Sequence, residues 1–296
     1  MPSSHARWQP VINLLVLLFV CAGPALAQRT LIHAGQPLSN ITLVITAGHL
    51  RALEKGFLPA QGNDTVIDLK DKFVLPGLMD MHTHLAGQTE KGGYLKRFQL
   101  YPADQALAAT PYLKQTLLAG FTTVRDLGAG EGVDLALRDA VNRGDLIGPR
   151  MLVAGKSLAV MGGHADPTNG YREDLLGVPG IEQGVINGVA GGRQAALLVI
   201  KRGADWVKIT ATAGVLSLSG NADNPQFTEE EIRAIVQTAA DFGRKVAAHA
   251  HGAEGAKRAI RAGVASIEHG TYLDDEALAL MKQHGTYLVP TITAGK

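Results

Sequence analysis

The sequence predicts an α/β fold: a (β/α)8 barrel, incomplete after its seventh strand, preceded by a small β-sheet subdomain. Three observations lead there. From Val74 onward apolar strand-like segments alternate with amphipathic helical ones, the grammar of parallel βα units. The helical segments carry their own start and stop signals. Seven such units are more than an open sheet comfortably holds and approach a closed barrel.

The chain of 296 residues opens on Arg7, an apolar run from Val11 to Val20, and Ala25-Leu26-Ala27, an A-x-A pattern. This reads as a secretory signal over residues 1–27, cleaved after Ala27, which places the protein in the periplasm or outside the cell. A membrane anchor is the competing reading, but Asn13, Gly23 and Pro24 interrupt the run short of the roughly 20 apolar residues a span needs. Residues 28–72 form the small sheet. Thr30 to His33, Ile41 to Thr46 and Thr65 to Leu69 are short apolar segments separated by turns such as Gln61-Gly62-Asn63-Asp64, and they suggest an antiparallel arrangement.

Residues 73–296 form the barrel. Its expected strands are Val74 to Leu85, Phe121 to Leu127, Arg150 to Lys156, Asp205 to Thr212, Lys245 to His251, Ala265 to His269 and Thr286 to Thr293. The best-marked helix starts at Thr228, which pairs with Glu231 as a capping box. It continues through the stripe Ile232, Ile235, Val236, Ala239 and stops at Gly243. A second runs from Glu254 to Ala262 before Gly263. A third spans Asp274 to His284, with acids in its first turn, Lys282 and His284 in its last, and Gly285 beyond.

Removal of residues 1–27 takes away the single Cys, so the mature chain has no disulfide and no thiol chemistry. It also removes Arg7 and leaves 27 basic against 27 acidic residues, with Trp206 the one remaining Trp. Zero net charge without a basic run argues against nucleic acid or an anionic membrane as partner and favours a small molecule. Oligomerisation stays open.

Histidines carry the chemistry. His82, His84, His164, His249, His251 and His269 fall at the C-terminal ends of expected strands or just beyond, the face where barrel enzymes build their sites. In Asp80-Met81-His82-Thr83-His84 the two histidines are two residues apart on a strand and project side by side, so they can share one metal ion. Arg125 and Asp126 end the second strand, where a substrate contact or a rim ion pair are both open. Gly128, Gly130 and Gly132 lack the further spacing of a dinucleotide loop, and there is no serine nucleophile elbow.

Pro76-Gly77-Leu78-Met79-Asp80-Met81-His82-Thr83-His84 resembles the first barrel strand of the amidohydrolase superfamily. The resemblance continues through Gly162-Gly163-His164, Gly203 to Ile209, Ala248 to Gly252 and Ser266 to Thr271. It points to the imidazolonepropionase-like and Xaa-Pro dipeptidase-like branch. It implies a TIM-type barrel that holds two divalent metal ions, zinc being the expected identity. His82 and His84 would ligate the more buried ion, a carboxylated Lys208 would bridge the pair, and His249 and His269 would ligate the second ion. His164 and His251 are the substrate-binding candidates. His249 and His251 both face inward, and the His-Ala pattern assigns the ligand role to His249.

Lys208, between Val207 and Ile209, has a bland reading too, as an ammonium snorkelling to the barrel rim. Carbamate formation needs the neutral amine, about one molecule in 2500 at pH 7 with an ordinary lysine pKa, so burial and a nearby cation would have to lower it. The resemblance implies hydrolysis of carbon–nitrogen bonds in an amide, dipeptide or cyclic amide by a metal-bridged hydroxide. Ala213 replaces a glycine the family loop usually has, and the aspartate expected on an eighth strand is absent from the sequence, so no catalytic residue is assigned. Two alternatives stay open: a truncated, non-catalytic barrel fragment, and a metal-dependent isomerase or decarboxylase on the same scaffold.

Overall fold

A computed structural model describes residues 28–36, 40–88, 91–215, 217 and 220–292. The expected signal at 1–27 and Thr293, the last residue of the expected seventh strand, lie outside the described residues. The chain divides into two compact units, Met1–Pro76 and Gly77–Lys296. No helix among the described residues is long and apolar enough to cross a membrane.

The first unit is a four-stranded sheet of β1 (Arg29–Gln36), β2 (Ile41–Thr46), β3 (His49–Lys55) and β4 (Thr65–Phe73), in the order β3-β2-β1-β4. The antiparallel expectation holds for β1 with β2 and β2 with β3, but β4 runs parallel to β1, so the sheet is mixed. The sequence reading also missed β3. That strand is exposed at six of its seven positions and carries no apolar alternation. Its hairpin is made by Ala47 and Gly48, both left-handed at φ 49° and 74°, the two-residue geometry that matches strand twist.

The second unit alternates strand and helix. It runs β5 (Leu78–Thr83), α1 (Pro102–Leu118), β6 (Phe121–Asp126), α2 (Val133–Arg143), β7 (Arg150–Val153) and β8 (Ala159–Val160), then α3 (Glu173–Leu176), β9 (Val185–Ile186) and α4 (Gly188–Lys201). After these come β10 (Trp206–Thr210), α5 (Glu229–Asp241), β11 (Lys245–Gly252), α6 (Ala253–Ala262), β12 (Ser266–Tyr272), α7 (Asp275–His284) and β13 (Tyr287–Val289). Strands β5-β6-β7 and β10-β11-β12-β13 pair in parallel. Asp205 donates its N–H to Val153 O at 2.8 Å, and Leu158 bonds Lys208 O and Thr210 N at 2.8 and 3.0 Å, which joins the two sets. The result is an α/β barrel of seven successive parallel strands. Among the described residues β5 and β13 are each paired on one side only, and Leu78, Met79 and Tyr287 there expose 53%, 67% and 75% of their surface.

The expected helices form for the expected reasons. Thr228 accepts from Glu231 N–H at 3.3 Å while Glu231 accepts from Thr228 N–H at 2.9 Å, and Gly243 beyond the end is left-handed. Asp274 caps α7 through Ala277 N–H at 2.9 Å. Ile232, Ile235 and Ile260 of α5 and α6 are fully buried against Val246, Ala248 and Ala250 of β11, which is buried from Val246 to its end. A strand covered on both faces needs apolar side chains both ways. The polar residues it does carry therefore call for a reason.

Candidate metal centre

Strand alternation sets which residues line the barrel interior. On β11, Val246, Ala248 and Ala250 meet the helices, so Ala247, His249 and His251 face inward. On β10, Val207 and Ile209 meet the helices, leaving Trp206, Lys208 and Thr210 inside. On β12, Ile267 faces out and Ser266 and Glu268 face in. His269 would then point outward, but its φ of 72° is left-handed, an uncommon conformation for a non-glycine residue. That break in the alternation turns His269 inward beside Glu268.

Six histidine rings gather at the C-terminal strand ends. Ring centroids are 5.2 Å apart for His82 and His84, 4.9 Å for His82 and His269, 4.6 Å for His249 and His269, 4.8 Å for His249 and His251, and 4.3 Å for His164 and His249. One ligating nitrogen from each of His249, His251 and His269 lies within 4.8 Å of the others. The structure thus brings all three together, including His251, which the sequence reading set aside for substrate.

Hydrogen bonds leave a ring nitrogen free on several of these rings. His82 Nδ1 donates to Glu268 Oε2 at 2.8 Å and His84 Nδ1 to Gly128 O at 2.9 Å, which leaves Nε2 of each with its lone pair. His249 Nε2 donates to Ala213 O at 3.3 Å and leaves Nδ1. Nδ1 of His251 and of His269 bond the Thr271 and Thr291 hydroxyls at 2.8 and 2.6 Å. His164 Nδ1 is buried without a partner among the described residues. Its ring lies where a Cβ on Gly214 would come within 2.3 Å, so Gly214 is required for its packing.

All six rings are held in the neutral, ligand-competent form. Desolvation is the first cause in each case, with the Lys208 ammonium adding to it for His82, His84, His164, His249 and His269. His84, whose edge opens to solvent, and His164 are lowered to about 4, and His269 to about 3. Lys208 is 3% exposed on β10, and burial lowers its own pKa to about 8 against the pull of Glu268 and Asp126. Roughly one amine in ten would then be neutral at pH 7, some 200-fold more than for an ordinary lysine. Snorkelling to the rim is excluded by that burial.

Sequence reasoning missed what stands behind His82. Glu268 is fully buried and its Oε1 accepts from Arg125 Nη2 at 2.7 Å and from Ser266 Oγ at 2.5 Å. Arg125 is 1% exposed, donates to Met81 O and Ser266 Oγ at 2.8 and 3.1 Å, and stacks its guanidinium 4.5 Å from the Trp206 ring. It is an interior ion pair, and neither of the roles open to it at the rim. Burial alone would raise the Glu268 pKa; the His82 bond and the Arg125 and Lys208 charges outweigh it. Asp126 is buried too, accepts from Leu85 N–H at 2.6 Å, and is pushed up to about 7 by burial. Polar residues at Ser266 and Glu268, two apart on one face of a strand and flanking the apolar Ile267, were the available signal.

The donor set fits divalent cations: neutral imidazoles with free nitrogens, an unpartnered buried His164 Nδ1, and a carboxylate behind one ligand. His82, His84, His249, His251 and His269 are the residues that could hold them.

A barrel with a histidine cluster at its strand ends is an enzyme architecture, and comparison with known proteins names the family. The chain belongs to the amidohydrolase family, whose model matches residues 73–295. It is 32% identical to the ochratoxinase of Aspergillus niger over 96% of this chain and 63% of that protein. It is 26% identical to the imidazolonepropionase of Chromobacterium violaceum over 85% of this chain and 63% of that one. A solved Xaa-Pro dipeptidase with methionine in its active site is 48% identical, with a TM-score of 0.85 over 90% of this chain and 68% of its own. The A. niger ochratoxinase structure gives 0.80 at 30% identity, over 90% of this chain and 66% of its own. This chain spans 63% of the length of these two curated relatives.

Proposed function

We propose that this chain carries the metal-binding face of a hydrolase that cleaves carbon–nitrogen bonds in small amide, dipeptide or cyclic amide substrates. The observation that carries the reading is the cluster of six histidine rings at the strand ends, with Lys208 buried on the neighbouring strand face. The names of its relatives, a Xaa-Pro dipeptidase, an ochratoxinase and an imidazolonepropionase, support that substrate class.

In this reading two divalent ions, zinc being the expected metal, would be held by His82 and His84 and by His249 and His269. Such ions acidify water and polarise a carbonyl. The neutral amine of Lys208 would add to carbon dioxide, forming an N–C bond as one C=O π bond opens and one proton leaves, and the resulting carboxylate would serve as a further metal ligand beside the histidines. His164, stacked on His249, and His251, next to Tyr272 at a ring separation of 6.3 Å, orient the substrate carbonyl or carboxylate. The apolar A-x-A leader fits export to the periplasm or beyond, where the protein would work.

The test is metal content by elemental analysis together with hydrolysis of a panel of Xaa-Pro dipeptides and N-acyl amino acids. About two zinc per chain, turnover, and loss of both in His82→Ala are expected; a chain that takes up no divalent ion refutes the reading. The exposed apolar residues on β5 and β13 favour a second reading, in which this stretch by itself binds metal without catalysing. Stoichiometric metal without turnover would select it.

A further inference from the structure

We infer that Glu268, held by Arg125 and Ser266, is a positioning residue that fixes His82 in the tautomer able to bind metal. The inference rests on the metal-centre reading above and adds to it a residue outside the ligand set.

An arginine side chain has donors only. Nη2 of Arg125 and the Ser266 hydroxyl both point their hydrogens at Oε1 of Glu268, and Ser266 Oγ in turn accepts from Arg125 Nη1. The remaining oxygen, Oε2, meets His82 Nδ1 at 2.8 Å. A carboxylate can only accept there, so Nδ1 must carry the hydrogen and Nε2 keeps its lone pair for a cation. The chain is buried from end to end: the side chains of Arg125, Glu268 and His82 expose 2%, 0% and 7%. Water therefore does not compete for the bonds, and the Trp206 ring closes the arginine end.

A glutamine would fail here. In Glu268→Gln the donors of Arg125 and Ser266 would still demand an oxygen, so the amide would turn its carbonyl toward them and its NH2 toward His82. Nδ1 would then accept, the ring hydrogen would move to Nε2, and the ligand lone pair would be lost with almost no change of shape. Removing the arginine as well frees the amide to turn round. In the double variant Arg125→Met/Glu268→Gln the serine hydroxyl can accept instead of donate, the carbonyl can face His82, and the Nδ1–H tautomer returns.

The experiment uses the full chain in metal-free and zinc-titrated forms. Nitrogen-15 correlation spectra of the metal-free, unsubstituted chain should show His82 protonated at Nδ1. In Glu268→Gln they should show it protonated at Nε2, with zinc affinity by chelator competition weakened about 10- to 100-fold, the range for second-layer partners of metal-binding histidines. The double variant should recover most of that loss. An Nε2–H tautomer in the unsubstituted chain, or unchanged affinity in Glu268→Gln, overturns the inference. The tautomer measurement needs no variant, so poor folding of Glu268→Gln leaves it decisive. An unsubstituted chain that binds no zinc overturns the metal-centre reading and this inference with it, whereas zinc binding that is indifferent to Glu268 overturns this inference alone.

Discussion

Replacing Lys208 by methionine should make the metal-free protein more stable while it removes the amine that the proposed carboxylate ligand needs. Lys208 is 3% exposed, and burial moves its pKa from 10.5 to about 8. That lowering corresponds to about 3 kcal/mol against the ammonium form in the folded state. Methionine fills a similar volume without a charge, so Lys208→Met should gain about that much at pH 7. For a domain of this size the gain corresponds to roughly 5–10 °C in Tm. Between pH 8 and about 10.4 the unfolded chain keeps a proton that the folded lysine has lost, so the stability of the unsubstituted protein rises with pH across that window. The advantage of the variant should therefore be full below pH 8 and fade toward zero near pH 10.4. Thermal unfolding in chelator and carbon-dioxide-depleted buffer at pH 7, 8.5 and 10 measures it. A variant less stable than its parent at pH 7, or a gain that ignores pH, would refute the burial argument.

Other consequences are as direct. His84, His164 and His269 have folded pKa values of about 3 to 4 against an ordinary 6.5, so the unfolded chain takes up protons first. Stability of the metal-free protein should fall steadily as pH drops from about 6.5 to 4, while their ring proton shifts stay constant between pH 7 and 5. Arg125→Ala strands a buried carboxylate and should cost about 3–5 kcal/mol in denaturant unfolding; a loss below 1 kcal/mol would mean Glu268 is solvated after all. Gly252→Ala would set a Cβ 2.2 Å from Asp223 O, a backbone contact that cannot rotate away, and should cost about 1–3 kcal/mol by the same assay.

Much of the barrel was legible because its signals are local. The capping box at Thr228, the stop at Gly243 and the acids opening α7 act within a few residues, and the structure uses each of them. The pair His82 and His84 was legible for the same reason, although β5 ends at Thr83 and His84 stands one residue past it, with its ring still 5.2 Å from that of His82. The mixed first sheet was less so. β3 has no apolar alternation, and the parallel pairing of β4 with β1 depends on where a long connection leads.

What the sequence by itself determined is the βα alternation, the near balance of 28 basic and 27 acidic residues and the presence of the histidines at strand ends. Only the tertiary structure decided which of them meet and in what protonation state. The Glu268 bond to His82 spans 186 residues and its bond to Arg125 spans 143, distances over which no pattern in the chain carries information. The alternation rule itself fails at His269, where one left-handed residue turns two neighbours to the same side. The lowered pKa of Lys208 likewise belongs to no residue alone. It arises because the fold removes water from an amine and surrounds it with side chains from β5, β6, β11 and β12.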